Sequence, residues 1–487
     1  MRPLHHASHA ACLALLSAAT ASPPPPPAAL HALHALRLRY APSTSPHICP
    51  PAFPSPHEIP RLPPSPPPSS APSFASCRLP LLLPRAALAD WPALHRWLDD
   101  DYLAAALPRL VGAYVAPRDE ARAALVAAEG AVEGVAAAAR EAAPPLADDP
   151  TGEEAPPLDA RGFFSAEMSA YFARWMGFDD MAPLRADVNA TPFLIDDAVE
   201  QGGQEALHAA ERRYFRLGSE GGVSSLHFDE YHNVFAQVAG SKRVWLMPPT
   251  AWTVALGFPK GHQRYRQSPR RPVFEWAAAE RTNASLGLRA VTLEAGDALY
   301  IPPFWYHQTL TLRRSAAVNV WSPSAEAMIA ARAGELGGGL GGALRAAASK
   351  SDAICTAVRL ARALAGRVEA DGSALLLAVD RAQHAHTRAS RRRRAKDSAA
   401  CPVALDGCVR TPLAADAAAA AALMGEALHM LPDGVRQLSF ADLLVDLLDY
   451  TSGVQPPWPV ERGRQLMLHC LASASSLWAS SPESELR

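Results

Sequence analysis

The chain has 487 residues, 49% of them hydrophobic, which is enough for one large domain with additional segments. Its 46 lysine and arginine residues and 48 aspartate and glutamate residues give a net charge of -2, which argues against a nucleic-acid-binding protein. The seven cysteines form no CxxC pair, which excludes a zinc ribbon and a dense disulfide framework. Free thiols are expected, with a Cys401–Cys408 bridge as the less favoured alternative.

Residues 1–75 are predicted to be disordered, because they are rich in proline and poor in acidic residues. An apolar run from Ala10 to Ala19 comes before the small-x-small sequence Ala19-Thr20-Ala21. Three interpretations stay open: a marginal signal peptide, an organelle transit segment, or an unselected extension. The compartment is therefore undetermined. No later stretch has the roughly 20 apolar residues that a membrane span needs.

Ordered structure is expected from about residue 76. Leu81–Leu83 suits an edge strand, and Asp90 is a candidate N-cap for a helix that begins near Trp91. An alanine-rich surface helix is predicted for Arg118–Ala143. A further helix is predicted from Ser165 to Trp175, where Phe164, Met168, Tyr171, Phe172 and Trp175 would form its buried stripe.

From Tyr214 onward the pattern indicates short antiparallel strands. The predicted strands are Tyr214–Leu217, Ser224–Asp229, Asn233–Val238, Lys242–Met247, Ala290–Leu293, Ala298–Ile301, Tyr306–Leu312 and Ala316–Trp321. Tight turns at Ala239–Ser241 and Arg313–Ser315 would join two of these pairs. Such a pattern is typical of a double-sheet jelly roll, so the fold class is mostly β, a double-stranded β-helix core with flanking helices over residues 76–325.

Residues 326–487 are predicted to be helical, with apolar faces at Ala325–Leu336, Ser351–Leu364, Asp416–Met430 and Ser439–Leu448. These helices are a candidate homodimer interface. A basic segment, residues 388–396, contains the run Arg391–Arg394. A solvated loop is favoured there over a nuclear signal or a nucleic-acid patch, because the overall charge is balanced.

Two stretches carry the chemistry. SSLHFDEYHNVFAQVAGSKRVWLMPP holds His227 and Asp229 two residues apart, and GDALYIPPFWYH ends in His307. Side chains alternate along a strand, so His227 and Asp229 should point to the same face. Two imidazoles and one carboxylate form the ligand set of non-haem Fe(II) oxygenases, which leaves coordination positions open. His232 and His262 are not expected to be ligands.

HFDEYHNVFAQVAGSKRVWLMPP followed by GDALYIPPFWYH resembles the cupin-like JmjC proteins, the Fe(II)- and 2-oxoglutarate-dependent hydroxylases that include the HIF asparaginyl hydroxylase. The resemblance runs from about Leu83 to about Ser322, roughly half of the chain. It implies that His227, Asp229 and His307 bind Fe(II). It also implies that Lys242 pairs with the distal carboxylate of 2-oxoglutarate.

The resemblance implies roles for further positions. Ser224 would hydrogen-bond the same distal carboxylate as Lys242. Asn233, Asn319 and Trp321 would lie close to the cosubstrate and the iron. Arg266 and Gln267 would face the substrate.

The family chemistry implies that O2 and 2-oxoglutarate are consumed, that succinate and CO2 are released, and that a substrate C–H bond is hydroxylated. The preferred substrate is a protein side chain. The alternatives are demethylation of methyl-lysine, hydroxylation of a modified tRNA base, or a binding or scaffold role without turnover. DNA is not expected as a partner.

Overall fold

A computed structural model describes residues 58–62, 75, 77–107, 114–117, 168–195, 212–255, 257, 265–268, 273, 286–334, 349–368, 408, 415–452 and 470. The chain divides into two compact units. One contains the described residues up to Met328 together with Asp433–Val435, and the other contains those of 329–432 and 436–487. The predictions for Arg118–Ala143, for His262 and for the basic run Arg391–Arg394 lie outside the described residues.

The first unit is built on one antiparallel β-sheet that bends into a jelly roll. Its strands are β1 (Leu81–Leu82), β2 (Tyr114–Pro117), β3 (Met168–Trp175), β4 (Arg212–Gly218), β5 (His227–Phe228), β6 (His232–Met247), β7 (Arg289–Glu294), β8 (Ala298–Ile301) and β9 (Tyr306–Ser322). The order is β1-β8-β6-β9-β4-β3-β2, with β5 added to β9 and β7 to β6. The predicted fold class is confirmed.

The long strands β6 and β9 pair along almost their whole length and belong to both halves of the jelly roll. The first half of β6 also pairs with β8 and its second half with β7. The first residues of β9 pair with β5, and its last residues pair with β4. Side chains from both halves therefore converge on one interior.

Two predicted turns are wrong, because β6 and β9 each continue through them. The pairing shifts register between Gln237 and Lys242, where β-bulges bend the strands together. Gly240 has φ +68°, and a Cβ there would overlap the carbonyl oxygen of Arg314. Glycine is needed at this bend for both reasons. A tight turn and a bulge have the same local composition, which explains the error.

The helix predicted for Ser165–Trp175 is wrong over its described part, which is strand β3. Phe172 is buried in the core on one face, while Tyr171 and Trp175 lie on the opposite face. Trp175 pairs with Tyr214 and Tyr171 with Gly218 on β4. A short aromatic run fits either period, and here pairing with β4 decides in favour of a strand.

The N-terminal part of this unit is held by two buried carboxylates. Asp187 accepts hydrogen bonds from Arg96, from Nε1 of Trp97 at 2.9 Å and from the Tyr102 hydroxyl at 2.6 Å. Asp297 accepts from Arg61 at 2.8 Å. The backbone of Arg61 also forms a parallel β-bridge with that of Leu82. The predicted disorder is therefore wrong for residues 58–62.

Short helices precede β2. They are Ala93–Arg96 and Asp100–Ala106. The predicted N-cap Asp90 is wrong, because the first of these helices starts after Pro92 without a side-chain cap. Asp99 caps the second, where its carboxylate accepts from the backbone N–H groups of Asp101 and Tyr102.

The largest core lies on the outer face of β4. Phe215 packs edge-on against Trp97 and Phe172, with ring centroids 5.1 and 6.3 Å apart. Phe215 and Leu217 are fully buried there. Because side chains alternate, Arg216 and Gly218 point to the opposite face, into the barrel. This core therefore fixes which face of β4 lines the interior.

Helices follow the barrel. They comprise residues 325–334, Lys350–Val368, Ala415–His429 and Asp433–Ser452. Cys408 forms a disulfide with Cys355, 53 residues earlier. The expectation of free thiols and the alternative Cys401–Cys408 pairing are thus both wrong for Cys408. Within the described part of the chain, no helix is both long and apolar enough to cross a bilayer.

Candidate metal centre and cosubstrate pocket

Three metal-binding side chains meet at the junction of β5 and β9. His227 on β5 pairs directly with His307 on β9, and Asp229 follows β5 by one residue. Potential ligand atoms of all three lie within 4.8 Å of one another. Oδ2 of Asp229 lies 3.5 Å from Nε2 of His307. The structure thus brings together the three side chains that were predicted to be metal ligands, and their binding of a metal stays a prediction.

The backbone orients both imidazoles for metal binding. Nδ1 of His227 lies 2.8 Å from the carbonyl oxygen of Ser225, and Nδ1 of His307 lies 3.0 Å from that of Trp305. Since a carbonyl only accepts, each Nδ1 carries the proton and donates it. The Nε2 lone pairs are left for a metal ion.

The loop before β9 also holds Asp229 in place. Phe304 has φ +64°, a left-handed conformation that is unusual for an aromatic residue. Its backbone N–H donates to the Asp229 carbonyl oxygen at 2.7 Å, and its ring stacks on Phe228 at 5.6 Å. This strained residue ties the carboxylate ligand to the strand that carries His307.

The charge states suit a divalent metal ion. Burial, together with the charge of His307, lowers the pKa of His227 to about 4, so this imidazole is neutral at physiological pH. Burial alone would raise the pKa of Asp229, but both histidines and the more distant Arg266 and Arg216 bring it below its usual value. Neutral imidazoles and an ionised carboxylate are the forms that bind metal.

Lys242, Thr311 and Gly218 form a second cluster inside the barrel, here called the anion cradle. Lys242 on β6 pairs with Thr311 on β9, and both are fully buried. A Cβ on Gly218 would lie 2.8 Å from the Thr311 hydroxyl oxygen and 3.5 Å from Nζ of Lys242. The three residues therefore enclose one small space that a methyl group would fill.

Among the described residues, no carboxylate forms an ion pair with Lys242 of the anion cradle. The Thr311 hydroxyl is buried without a hydrogen-bond partner among the described residues. Lys242 lies over the rings of Tyr171 and Phe235 at 5.4 and 5.8 Å. Burial, assisted by the charge of Arg216, lowers the pKa of Lys242 to about 7. A carboxylate in the cradle would satisfy both the ammonium and the hydroxyl.

Ser224 lies beside β9 in the same interior. Its hydroxyl oxygen accepts from the Thr309 backbone N–H at 2.8 Å and pairs with the Thr309 hydroxyl at 3.1 Å. A hydroxyl has one donor and two acceptor positions. The hydroxyl proton of Ser224 is therefore left to donate, and its contact with the cosubstrate remains a prediction.

A chain of hydrogen bonds runs from Arg216 on β4 through Asn319 on β9 to Asn233 on β6. Nε of Arg216 donates to Oδ1 of Asn319 at 2.8 Å, and Nδ2 of Asn319 donates to Oδ1 of Asn233 at 2.9 Å. Nδ2 of Asn233 is buried without a partner among the described residues. Asn233 and Asn319 were predicted to lie near the cosubstrate, and the structure joins them in one network.

A family model described as a cupin-like domain matches residues 73–325, which is more than half of the chain. The chain belongs to the cupin-like domain family. The match contains the triad, the anion cradle and all nine strands of the barrel.

Curated relatives share only part of this chain. The Arabidopsis thaliana lysine-specific demethylase JMJ31 is 33% identical over 28% of this chain and 24% of its own length. The Danio rerio tRNA wybutosine-synthesizing protein 5 is 33% identical over 33% of this chain and 47% of its own length. The Drosophila melanogaster Jumonji C domain-containing protein 5 is 25% identical over 48% and 52%. The chain thus spans about a quarter to a half of these relatives.

A solved structure of the Escherichia coli ribosomal oxygenase YcfD in complex with cobalt and 2-oxoglutarate is also similar. It is 16% identical, with a TM-score of 0.21, and the match covers 35% of this chain and 36% of that one.

Arg266 and Gln267 lie next to the metal ligands of the cupin-like domain. Arg266 has φ +72°, and Nη1 lies 3.8 Å from the Glu230 carboxylate. Its carbonyl oxygen accepts from the Phe228 N–H at 3.3 Å. The backbone of Gln267 forms an isolated antiparallel β-bridge with that of His227. Oε1 of Gln267 is buried without a partner among the described residues. Their predicted role toward the substrate stays a prediction.

Aromatic rings line the same wall of the cupin-like domain as Arg216. Trp321 stacks on Tyr231, with ring centroids 5.9 Å apart, and contacts Tyr214 at 4.8 Å. Nε1 of Trp321 is buried without a partner among the described residues. Trp321 was predicted to lie near the iron, and these contacts place it beside Arg216, 5.8 Å from the guanidinium.

His232 has a structural role, as its position in the strand predicted. It is fully buried, with Nδ1 2.9 Å from the Tyr300 hydroxyl and Nε2 3.2 Å from Arg78. It takes no part in the metal triad.

Sequence reasoning missed Arg216, Thr311 and Tyr171. Arg216 was placed correctly on a strand, but its inward direction follows only from the pairing with β9. Thr311 becomes noticeable only when the register sets it opposite Lys242. The sequence pattern that could have identified Arg216 is an arginine between two apolar residues of a barrel strand, Phe215-Arg216-Leu217.

Proposed function

We propose that the cupin-like domain is an Fe(II)- and 2-oxoglutarate-dependent dioxygenase that hydroxylates a side chain of a protein substrate. The observation that carries this proposal is the joint presence, in one barrel interior, of the His227–Asp229–His307 triad and the anion cradle. Binding of a keto diacid requires both sites. Its keto-acid end binds a metal that protein side chains hold, and its distal carboxylate binds a cation and a hydroxyl.

The residues present fit both groups. His227, Asp229 and His307 would hold Fe(II), and Oδ2 of Asp229 accepts no hydrogen bond from the described residues. Lys242 and Thr311 would receive the distal carboxylate of 2-oxoglutarate, with Ser224 as a further donor. When bound, the metal and cosubstrate supply O2 activation, coupled to conversion of 2-oxoglutarate into succinate and CO2.

The protein's own task is to bind, orient and exclude water. The bonds from Nδ1 to backbone carbonyls fix the direction of both imidazoles. Phe228, Phe304 and Tyr306 are buried together behind the triad. These rings keep water away from the ligands on that side, and a dry site strengthens the electrostatic contacts within it. No protein general base is required for the oxidation.

Demethylation of methyl-lysine is the activity that the name of one relative implies. Charge in the pocket disfavours it here. Arg216 already covers the faces of Tyr214 and Trp321, at 5.3 and 5.8 Å. A methylated ammonium would meet those rings only by displacing a guanidinium.

Two other readings receive less support. Modification of a tRNA base is implied by the name of another relative. This chain has a balanced charge, with 46 basic and 48 acidic residues, whereas a tRNA partner calls for a basic surface. A scaffold without turnover would not need to keep the three metal ligands and Lys242, all of which are present and converge on one interior.

The test exposes a cell extract to the purified full-length chain, Fe(II), 2-oxoglutarate and 18O2. Asp229→Ala serves as the matched control. The proposal predicts 18O in specific peptides only with the wild-type chain. Label in digested nucleosides would instead identify an RNA base as the substrate, and formaldehyde release would identify a demethylase. Either of the latter results without peptide label contradicts the proposal.

A further inference from the structure

Arg216 is a cation inside the barrel for which the proposed function has no task. It contacts neutral groups: Oδ1 of Asn319 at 2.8 Å, the Tyr171 hydroxyl at 3.2 Å, and the rings of Tyr214 and Trp321. No carboxylate of the described residues forms an ion pair with it. A half-buried guanidinium that has no carboxylate partner among the described residues is a good anion receptor.

The strand register places Arg216 beside the anion cradle. On β4, Gly218 borders Lys242, and Arg216 is the next residue on the same face. Two residues of an antiparallel strand rise about 7 Å. The Tyr171 hydroxyl contacts Arg216, while the Tyr171 ring lies 5.4 Å from Nζ of Lys242. Arg216 is therefore the first cation beyond the cradle.

Ring contacts connect Arg216 to the segment that carries Asp229. The Arg216 guanidinium lies 5.8 Å from the Trp321 ring, and Trp321 stacks on Tyr231, two residues after Asp229. Arg216 is therefore linked both to the anion cradle and to the segment that carries one of the three proposed metal ligands.

We propose that Arg216 is a second cationic anchor of the cosubstrate, which binds the carboxylate at the metal end while Lys242 binds the distal one. This inference rests on the proposed function, because it assumes that 2-oxoglutarate occupies the pocket. Nε and Nη1 of Arg216 donate hydrogen bonds to Asn319 and to the Tyr171 hydroxyl. These bonds fix the orientation of the guanidinium before the ligand binds. Arg216 thus acts as a positioning residue for the keto acid.

Two keto acids separate the ends of the ligand. 2-Oxoglutarate has both carboxylates, and 2-oxopentanoate lacks only the distal one. Affinities are measured on the full-length chain loaded with Mn(II), by water-proton relaxation of the bound ion, so that no turnover is needed. The variants are Arg216→Gln and Arg216→Lys. The matched control is Arg212→Gln, on the same face of β4, where the arginine lies over Trp175 at 5.7 Å.

Arg216→Gln should weaken both keto acids by a similar factor of about 10 to 100, because both carry the near carboxylate. Arg216→Lys should lose less affinity, since lysine keeps the positive charge but not the planar pair of N–H donors of the guanidinium. Arg212→Gln should bind as the wild type does. Melting of the ligand-free variants verifies that they fold.

Three results would overturn the inference. Unchanged affinity for both ligands would remove Arg216 from the cosubstrate site. A loss restricted to 2-oxoglutarate would assign Arg216 to the distal carboxylate. If the wild-type chain with Mn(II) bound neither ligand, the proposed function itself would fail, and that outcome is distinct from the other two.

Discussion

Lys242 and Thr311 face each other across β6 and β9, and both border the Cα of Gly218. The ammonium and the hydroxyl lie in the barrel with no carboxylate partner among the described residues. An arrangement of this kind costs stability unless a ligand completes it. The pairing therefore makes this position in the strand register a candidate site for an anion.

Filling the cradle should weaken cosubstrate binding. In Gly218→Ala, the new methyl group would lie 2.8 Å from the Thr311 hydroxyl oxygen and occupy the space for a carboxylate. N-oxalylglycine, an unreactive mimic of 2-oxoglutarate, should bind at least about tenfold more weakly to the metal-loaded variant. Gly334→Ala is the control, because a Cβ there meets nothing within 4 Å. Equal affinity in both variants would show that the carboxylate lies elsewhere.

Two threonines on the same face of β9 should respond in opposite directions to loss of the hydroxyl. Thr311→Val removes an unpaired buried hydroxyl, so the ligand-free protein should be as stable as the wild type or more stable. Thr309→Val breaks the bond to Ser224 and should cost about 1 kcal/mol. Urea unfolding measures both. Destabilisation by Thr311→Val equal to that by Thr309→Val would mean that the Thr311 hydroxyl has a partner.

Ligand binding should depend on pH through Lys242. Burial, and then the charge of Arg216, lowers the pKa of its ammonium to about 7 in the ligand-free protein. Since the charged form pairs with the carboxylate, binding takes up a proton above that pH. Affinity for N-oxalylglycine should fall by up to about tenfold per pH unit above about 7. Lys242→Arg stays charged and should bind equally from pH 6.5 to 8.5. A flat wild-type profile would contradict the shifted pKa.

The disulfide Cys355–Cys408 should stabilise the helical unit. It closes a loop with a sequence separation of 53. Chain entropy predicts a loss of about 4 kcal/mol of unfolding free energy in Cys355→Ser. Chemical denaturation with and without reductant measures it. Cys408→Ser is the matched variant and should lose the same amount, because it breaks the same bond. A peptide map with Cys401 linked to Cys408 would contradict this pairing.

Two members of the metal triad could be predicted from a local pattern, and the third, His307, from the resemblance of GDALYIPPFWYH to the cupin-like JmjC proteins. His227 and Asp229 share a face because side chains alternate along a strand. The barrel could be predicted because this requires only that its strands are recognised. The cradle could not be predicted in the same way. Thr311 lies opposite Lys242 only because β-bulges around Gly240 shift the register of β6 and β9. Such bulges cannot be recognised from local composition.

Two errors in the fold have a similar origin. The aromatic run around Tyr171 and Phe172 satisfies both the helical and the strand period, and pairing with β4 decides between them. Cys355 and Cys408 are far apart in sequence, so their pairing depends on how the helices pack. In each case a contact distant in sequence overrides a local preference.

The most direct test of the central claim is succinate formation by the full-length chain with Fe(II), ascorbate and 2-oxoglutarate, without a protein substrate. Oxygenases of this kind turn over slowly when uncoupled, so a low rate suffices. The account predicts succinate from the wild-type chain and none above background from His227→Ala or Asp229→Ala, with the fold of both variants retained. Equal succinate from wild type and variants, or none from the wild type together with no binding of N-oxalylglycine, would contradict it.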